Sequence, residues 1–200
     1  MNGGQPDLQF HPLTPDRWRD LETLFGPGGA YGGCWCMWPR LRRKEFDRNS
    51  GKQNRQAMKE AVDSGEEPGL LAYSGGEPVG WVALAPRERY AHLEHSRTLK
   101  RVDERPVWSI VCFVVDKRAR GQGMMAKLLS AAVDYAARRG ATIVEGYPVE
   151  PQGKLSGYAG YTGIVSTFRK ARFVEVARRS EGQPIMRFYS GGGSQRISSG

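Results

Sequence analysis

A mixed α/β fold is predicted by three features of this 200-residue sequence. Residues 107–115 form a nearly unbroken apolar run, the signature of a strand covered on both faces. After a charged, glycine-bearing break, Met125, Leu128, Leu129, Ala132, Val133 and Ala136 recur at the spacing of an amphipathic helix. Residues 141–149 then supply a second apolar strand, and strands joined through a helix must pair in parallel with a right-handed crossover. Hairpin patterns flank this unit, giving a mixed sheet of about seven strands with about four helices. At roughly 150 residues per domain, residues 1–190 are read as a single domain.

The remaining elements follow in order. Residues 8–13 read as a first strand, and Thr14-Pro15 supply an N-cap and a proline for the first helical turn. Trp18, Leu21, Leu24 and Phe25 form the apolar face of that helix, which Gly26-Pro27-Gly28-Gly29 ends. An aromatic loop, residues 31–39, leads into a polar stretch in which Met58, Ala61 and Val62 mark a surface helix. Residues 70–73 and 79–85 read as a hairpin around Ser74-Gly75-Gly76-Glu77. Residues 87–106 are charged and irregular, a long loop of the kind that is usually functional or mobile. Past residue 149, Ile164, Val165, Phe168 and Ala171 mark a fourth helix, and residues 173–177 and 185–189 a final hairpin. The tail, residues 191–200, is rich in Gly and Ser and is expected to be disordered.

Composition narrows the function classes. Lys plus Arg number 30 against 21 for Asp plus Glu, a formal net charge of +9. That surplus admits nucleic acid, an acidic surface or a phosphorylated cofactor as partner. Nucleic acid is disfavoured, because the basic residues are scattered and no zinc-finger, helix-turn-helix or RNP signature is present. No membrane partner is expected either, since no apolar run approaches the roughly 18 residues of a span and the N-terminal stretch lacks a signal-peptide pattern. A cytoplasmic protein is expected. The three cysteines, Cys34, Cys36 and Cys112, are too few and odd in number for a disulfide framework. Cys34 and Cys36 with His92 and His95 offer a zinc-type donor set, but one intervening residue strains a shared tetrahedron, so no metal is expected and the thiols read as small hydrophobes.

The break between residues 116 and 123 carries the chemistry. It reads Asp116-Lys117-Arg118-Ala119-Arg120-Gly121-Gln122-Gly123, joining a buried strand to a helix. Glycines there let backbone N–H groups approach a ligand, and the positive end of the helix dipole points the same way, so the turn is an anion site. A Walker loop is excluded because no Gly-Lys-Ser/Thr follows. The dinucleotide fingerprint is disfavoured because only one strand–helix–strand unit exists.

Arg118-x-x-Gly121-x-Gly123, placed between that strand and that helix, resembles the acetyl-CoA pyrophosphate loop of the GNAT superfamily of N-acetyltransferases, whose pattern is Arg/Gln-x-x-Gly-x-Gly/Ala. The order of elements over residues 8–189 also matches. The resemblance implies a GNAT-like acyl-CoA N-acyltransferase fold, with acetyl-CoA as cosubstrate and direct transfer to a primary amine in a ternary complex. A non-catalytic acyl-CoA-binding or regulatory module is the alternative.

Residue roles follow from the same resemblance. The backbone of Arg118, Arg120, Gly121, Gln122, Gly123 and Met124 would hold the pyrophosphate, with the two arginines neutralising it. Phe113, Val114 and Val115 would run beside the pantetheine arm and polarise the acetyl carbonyl through their N–H groups. Many members carry a tyrosine near the end of the fourth helix that protonates the departing thiolate; its counterpart here, on the cofactor side, is Phe168. Tyr158, Tyr161 and Ser166 are the replacements within reach. A thiolate of pKa about 8.5 leaves readily, whereas an amine of pKa about 10.4 is almost wholly charged at neutral pH, so the base matters more than the acid. Glu145 is the leading candidate base, ahead of Asp103, Glu104, His92 and His95. Trp35, Met37 and Trp38 are expected to wall the acceptor site, which would take a small-molecule or peptide amine. A homodimer is left open.

Overall fold

The computed structural model describes residues 7–49, 51–151 and 160–191. Seven strands form a single sheet: β1 (Leu8–Pro12), β2 (Gly69–Ser74), β3 (Glu77–Pro86), β4 (Trp108–Val115), β5 (Ile143–Gly146), β6 (Val174–Arg178) and β7 (Pro184–Tyr189), in the order β1-β2-β3-β4-β5-β7-β6. The helices among the described residues are α1 (Trp18–Phe25), α2 (Arg43–Arg48), α3 (Gly51–Asp63), α4 (Ala91–Glu94), α5 (Met124–Arg138) and α6 (Val165–Lys170). The two beyond the expected four, α2 and α4, are short turns inside polar stretches where periodicity has too few residues to register. The expected tail lies almost wholly outside the described residues.

β4 sits at the centre of the sheet, as its unbroken apolar run predicts, antiparallel to β3 and parallel to β5. Each face carries its own core. Leu128, Leu129 and Ala132 of α5 pack on one face against Leu70, Val82 and Ile110, each fully buried leucine stabilising the fold by about 1.5–3 kcal/mol. α1, α3 and the aromatic loop cover the other face, against Leu71, Trp81 and Val111. Thr14 does not cap α1 directly: Pro15–Arg17 form a 3-10 turn first, and the Thr14 hydroxyl accepts from Arg17 Nη1 at 2.9 Å. No helix among the described residues is long and apolar enough to cross a membrane.

Two irregularities open the sheet at its centre. Pairing between β3 and β4 steps from Ala83↔Cys112 to Leu84↔Ile110, leaving Val111 as an extra residue on β4, a bulge that bends the strand. Parallel pairing with β5 covers only Trp108, Ser109 and Ile110. The fifth strand therefore ends at Gly146 instead of reaching residue 149. At that end the Phe168 ring lies so close to the backbone that a Cβ at Gly146 would sit 2.2 Å from its Cε1, which holds the position to glycine. Residues 160–163 come in beside β4 instead, and the Tyr161 carbonyl accepts the Phe113 N–H at 2.6 Å.

Candidate active site

Where β4 leaves β5, a cleft of about 760 Å³ opens across the C-terminal end of the strand. One half is walled by Val114 and Val115 and by the turn that enters α5, with Arg120, Gly121, Gly123 and Met124 facing in. Gly121 and Gly123 hold φ values of +76° and +70°, a region that favours glycine, and a Cβ at either would meet only open space. Their lack of side chains leaves the backbone bare toward the cleft. The N–H groups of residues 121–125 have no acceptor among the described residues, whereas those of Ala126 and Lys127 bond to the Gly123 carbonyl. Unpaired donors at the start of a 15-residue helix form an anion site, strengthened by the helix dipole. Asp116 shapes the turn by accepting from the Arg118 N–H at 2.7 Å, and the Arg118 guanidinium holds its carboxyl below the usual aspartate range.

Not every predicted residue of the turn faces this cleft. The Arg118 guanidinium pairs with Asp116 at 3.0 Å and, with Gln122, lines a separate hollow toward β1 and β3. Gln122 donates there to the Arg118 carbonyl at 3.0 Å. Of the turn's cations among the described residues, Arg120 lines the cleft, its Nε donating to the Val115 carbonyl at 3.2 Å. Phe113 also lines the cleft, but its N–H is taken by Tyr161 and is not open to a carbonyl ligand. Phe168 is fully buried beneath, against Phe113 and Phe173, so it is a core residue and its neighbour Thr167 forms the wall.

The other half of the cleft is built from the aromatic loop, α2 and the bulged part of β4. Cys34, Cys36, Trp38, Phe46, Cys112 and Tyr161 face it, with Arg43 and Asp47 on α2. Trp35 and Cys36 both hold positive φ, 47° and 56°, a strain of order 1–3 kcal/mol each. Packing holds the loop in place. The Trp35 ring stacks on Trp18 and against Phe25 in the core, so close to Gly29 that any Cβ there would meet its indole at 2.3 Å. Trp35 and Met37, expected in the acceptor wall, are therefore core anchors, and of the three predicted residues Trp38 alone faces the cleft. Trp38 meets Phe46 edge-on at 5.0 Å, with His92 behind it at 4.7 Å and the Arg43 guanidinium over its ring.

Burial sets the titration of the groups here. Cys34 is pushed up to about 11 by burial, and Cys36 is raised by its hydrogen bond to the Cys112 thiol and by burial. The Tyr161 phenol is raised by burial as well, so it stays protonated across the physiological range. The cysteines, read from sequence as inert hydrophobes, prove to line the cleft. Their one-residue spacing had no signal for this, because it depends on the positive φ of Cys36 turning that thiol toward β4.

Glu145, the leading candidate base, lies elsewhere. It is fully buried on the face of β5 opposite α5, accepting from Arg87 Nη1 at 2.9 Å, Arg187 Nε at 2.7 Å and the Tyr147 hydroxyl at 2.7 Å. Both arginines are buried with it, and the carboxylate does not reach the cleft. Paired with both guanidinium groups and absent from the cleft wall, this carboxylate cannot meet a substrate amine there, so the base reading is replaced by a structural one. Asp103 pairs with Arg187 at 2.6 Å and joins the same network, and His95 hydrogen-bonds the Ala91 carbonyl. Tyr158 lies outside the described residues.

Residues 35–153, which run from the aromatic loop through β5 and include the glycine turn at α5, match the model of the Acetyltransferase (GNAT) family. The chain belongs to the GNAT family of acetyltransferases. Solved structures share its fold. A GNAT acetyltransferase from Listeria monocytogenes 4b F2365 superposes with a TM-score of 0.59 at 8% identity, covering 95% of this chain and 99% of that one. The PaiA N-acetyltransferase of Thermoplasma acidophilum, solved in complex with coenzyme A, gives 0.53 at 10% identity over 92% and 99%. The NatC complex bound to Gag peptide and CoA gives 0.51 at 14% identity over 92% and 99%. Comparison with curated proteins finds no match.

Proposed function

We propose that the chain is an acetyl-CoA-dependent N-acetyltransferase in which the acceptor amine attacks the thioester directly. One observation carries this reading: the unpaired N–H groups of the glycine turn and the thiol-lined aromatic hollow open onto the same cleft, on either side of β4. The turn and Arg120 suit a pyrophosphate, the exposed edge of Val114 and Val115 suits an extended amide-bearing arm, and the hollow suits the acceptor. Coenzyme A bound to structural neighbours of the same fold supports the cosubstrate.

On this reading the acetyl group lies near Cys112 and Tyr161. The Tyr161 phenol, kept protonated by burial, is the proton donor for the departing thiolate, replacing the family tyrosine whose place Phe168 takes as a core residue. Its removal slows only the last part of the reaction, because the thiolate is already a fair leaving group. The test is calorimetric binding of acetyl-CoA alongside thiol release with an amine panel, for the native chain and for Gly123→Val and Tyr161→Phe. Expected are tight binding lost in Gly123→Val, and amine-dependent release that falls in Tyr161→Phe with binding intact. Binding without release for any amine would instead favour the non-catalytic module.

A further inference from the structure

All Asp, Glu and His side chains of this sequence lie within the described residues. Asp47 is the single one of them that lines the cleft, and both its oxygens are taken by Arg43 Nε, at 3.0 and 2.8 Å. Glu145 is sealed between Arg87 and Arg187. His92 stands behind Trp38 and outside the cleft wall, half-buried, with its pKa lowered by burial and by Arg43. Among the described residues the remaining acidic groups facing the acceptor hollow are thiols and phenols, and the Cys34 and Cys36 thiols and the Tyr161 phenol are held in their neutral forms. Arg43 and Arg120 outnumber Asp47, so among the described residues the lining is net positive around an otherwise apolar wall.

Such a hollow neither removes a proton from an ammonium ion nor welcomes one, since a cation entering it loses hydration and gains no unpaired anion. We infer that the acceptor is an amine already neutral at physiological pH, borne on an apolar or aromatic body that fills the space beside Trp38 and Phe46. This inference rests on the acetyl-transfer reading and specifies its substrate. The class comprises α-amino groups of apolar amino-acid amides and peptides, together with arylamines and aryl hydrazines. Lysine side chains and polyamines fall outside it. Nucleophilic attack by the free amine breaks the carbon–sulfur bond, the thiolate takes the Tyr161 proton, and the amide nitrogen's surplus proton is released to solvent, returning to the phenolate between turnovers.

The pKa of the amine then governs the rate. At pH 7.5 roughly a third of an α-amine of pKa about 7.8 is neutral, against about one part in 800 of a lysine-like amine of pKa about 10.4. The experiment measures kcat/KM from pH 6 to 10 with phenylalaninamide, a phenylalanine-ended peptide, an aryl hydrazine and 3-phenylpropylamine, with acetyl-CoA binding followed separately. Expected is a plateau for each weakly basic amine at its own pKa, and for 3-phenylpropylamine a tenfold rise per pH unit throughout. At pH 7.5 the free-base fractions alone favour the α-amines by about 250-fold, and a wholly neutral aryl hydrazine by about 800-fold. His92→Gln should leave these profiles unchanged. The peptide and hydrazine arms separate a polypeptide acceptor from a small-molecule one. A common inflection for all amines that His92→Gln abolishes, equal turnover of 3-phenylpropylamine at pH 7.5, or cofactor binding with no turnover of any weakly basic amine would overturn the inference while leaving acyl-CoA binding in place. Failure of acetyl-CoA to bind would overturn the transfer reading itself.

Discussion

Glu145→Gln separates the structural role of the buried carboxylate from a catalytic one. The substitution keeps the shape of the side chain and one carbonyl oxygen but removes the charge that faces Arg87 and Arg187 from 2.9 and 2.7 Å. Removing one partner of a buried ion pair costs about 3–5 kcal/mol, because the other charge is left uncompensated. Here each arginine keeps a second carboxylate: Arg87 has Glu94 at 2.8 Å and the carbonyls of Leu93 and Leu99, and Arg187 has Asp103 at 2.6 Å. The loss should therefore fall at the lower end, about 3 kcal/mol, which lowers Tm by about 6–12 °C for a domain of this size. Urea denaturation followed by tryptophan fluorescence reads the stability. Acetyl-CoA thiol release, measured well below the transition and normalised to folded protein, reads the chemistry. Lost stability with near-native turnover is expected. Native stability with lost turnover would refute the structural assignment and return Glu145 to the candidate bases.

Three further outcomes follow from the same geometry. Gly146→Ala places a methyl group against the Phe168 ring and should cost about 1–3 kcal/mol by denaturation, part of which the double variant with Phe168→Leu recovers. Arg120→Gln should weaken acetyl-CoA binding about tenfold in calorimetry, the loss of one charged hydrogen bond, whereas Arg118→Gln, whose guanidinium faces Asp116 and the neighbouring hollow, should leave it nearly unchanged. Equal effects would show that both arginines reach the ligand. Because burial raises the Cys34 thiol to about 11, its thiolate fraction rises with pH, and alkylation in a Cys36→Ala/Cys112→Ala background should accelerate about tenfold per pH unit between 8 and 10. A plateau near pH 9 would show an ordinary thiol.

Much of the fold was legible because each part of the signal is local. The apolar run of β4, the helical spacing of α5 and the turn residues at 74–77 depend only on near neighbours in the chain. The same is true of the glycine turn, where two residues with no Cβ at a helix start define an anion site before any tertiary contact is known. The acceptor side was less legible. Trp35, Met37 and Trp38 are adjacent and chemically alike, and which of them faces the cleft is settled by backbone conformation at Trp35 and Cys36 and by contacts with Trp18 and Phe25. The aromatic spacing carries no trace of that.

The sequence by itself determined the class of fold, the place of the central strand and the position of the glycine turn before α5, since all three rest on periodicity and on the backbone freedom of glycine. Only the tertiary structure decided which groups reach the cleft. Glu145 alternates to one face of β5, but whether that face holds solvent, substrate or arginine depends on residues 58 positions before it and 42 after it. Burial and charge pairing are long-range in the chain and short-range in space. For that reason the strand that seemed to offer a base offers a structural ion pair, and Cys112 meets Cys34 and Cys36 across one cleft.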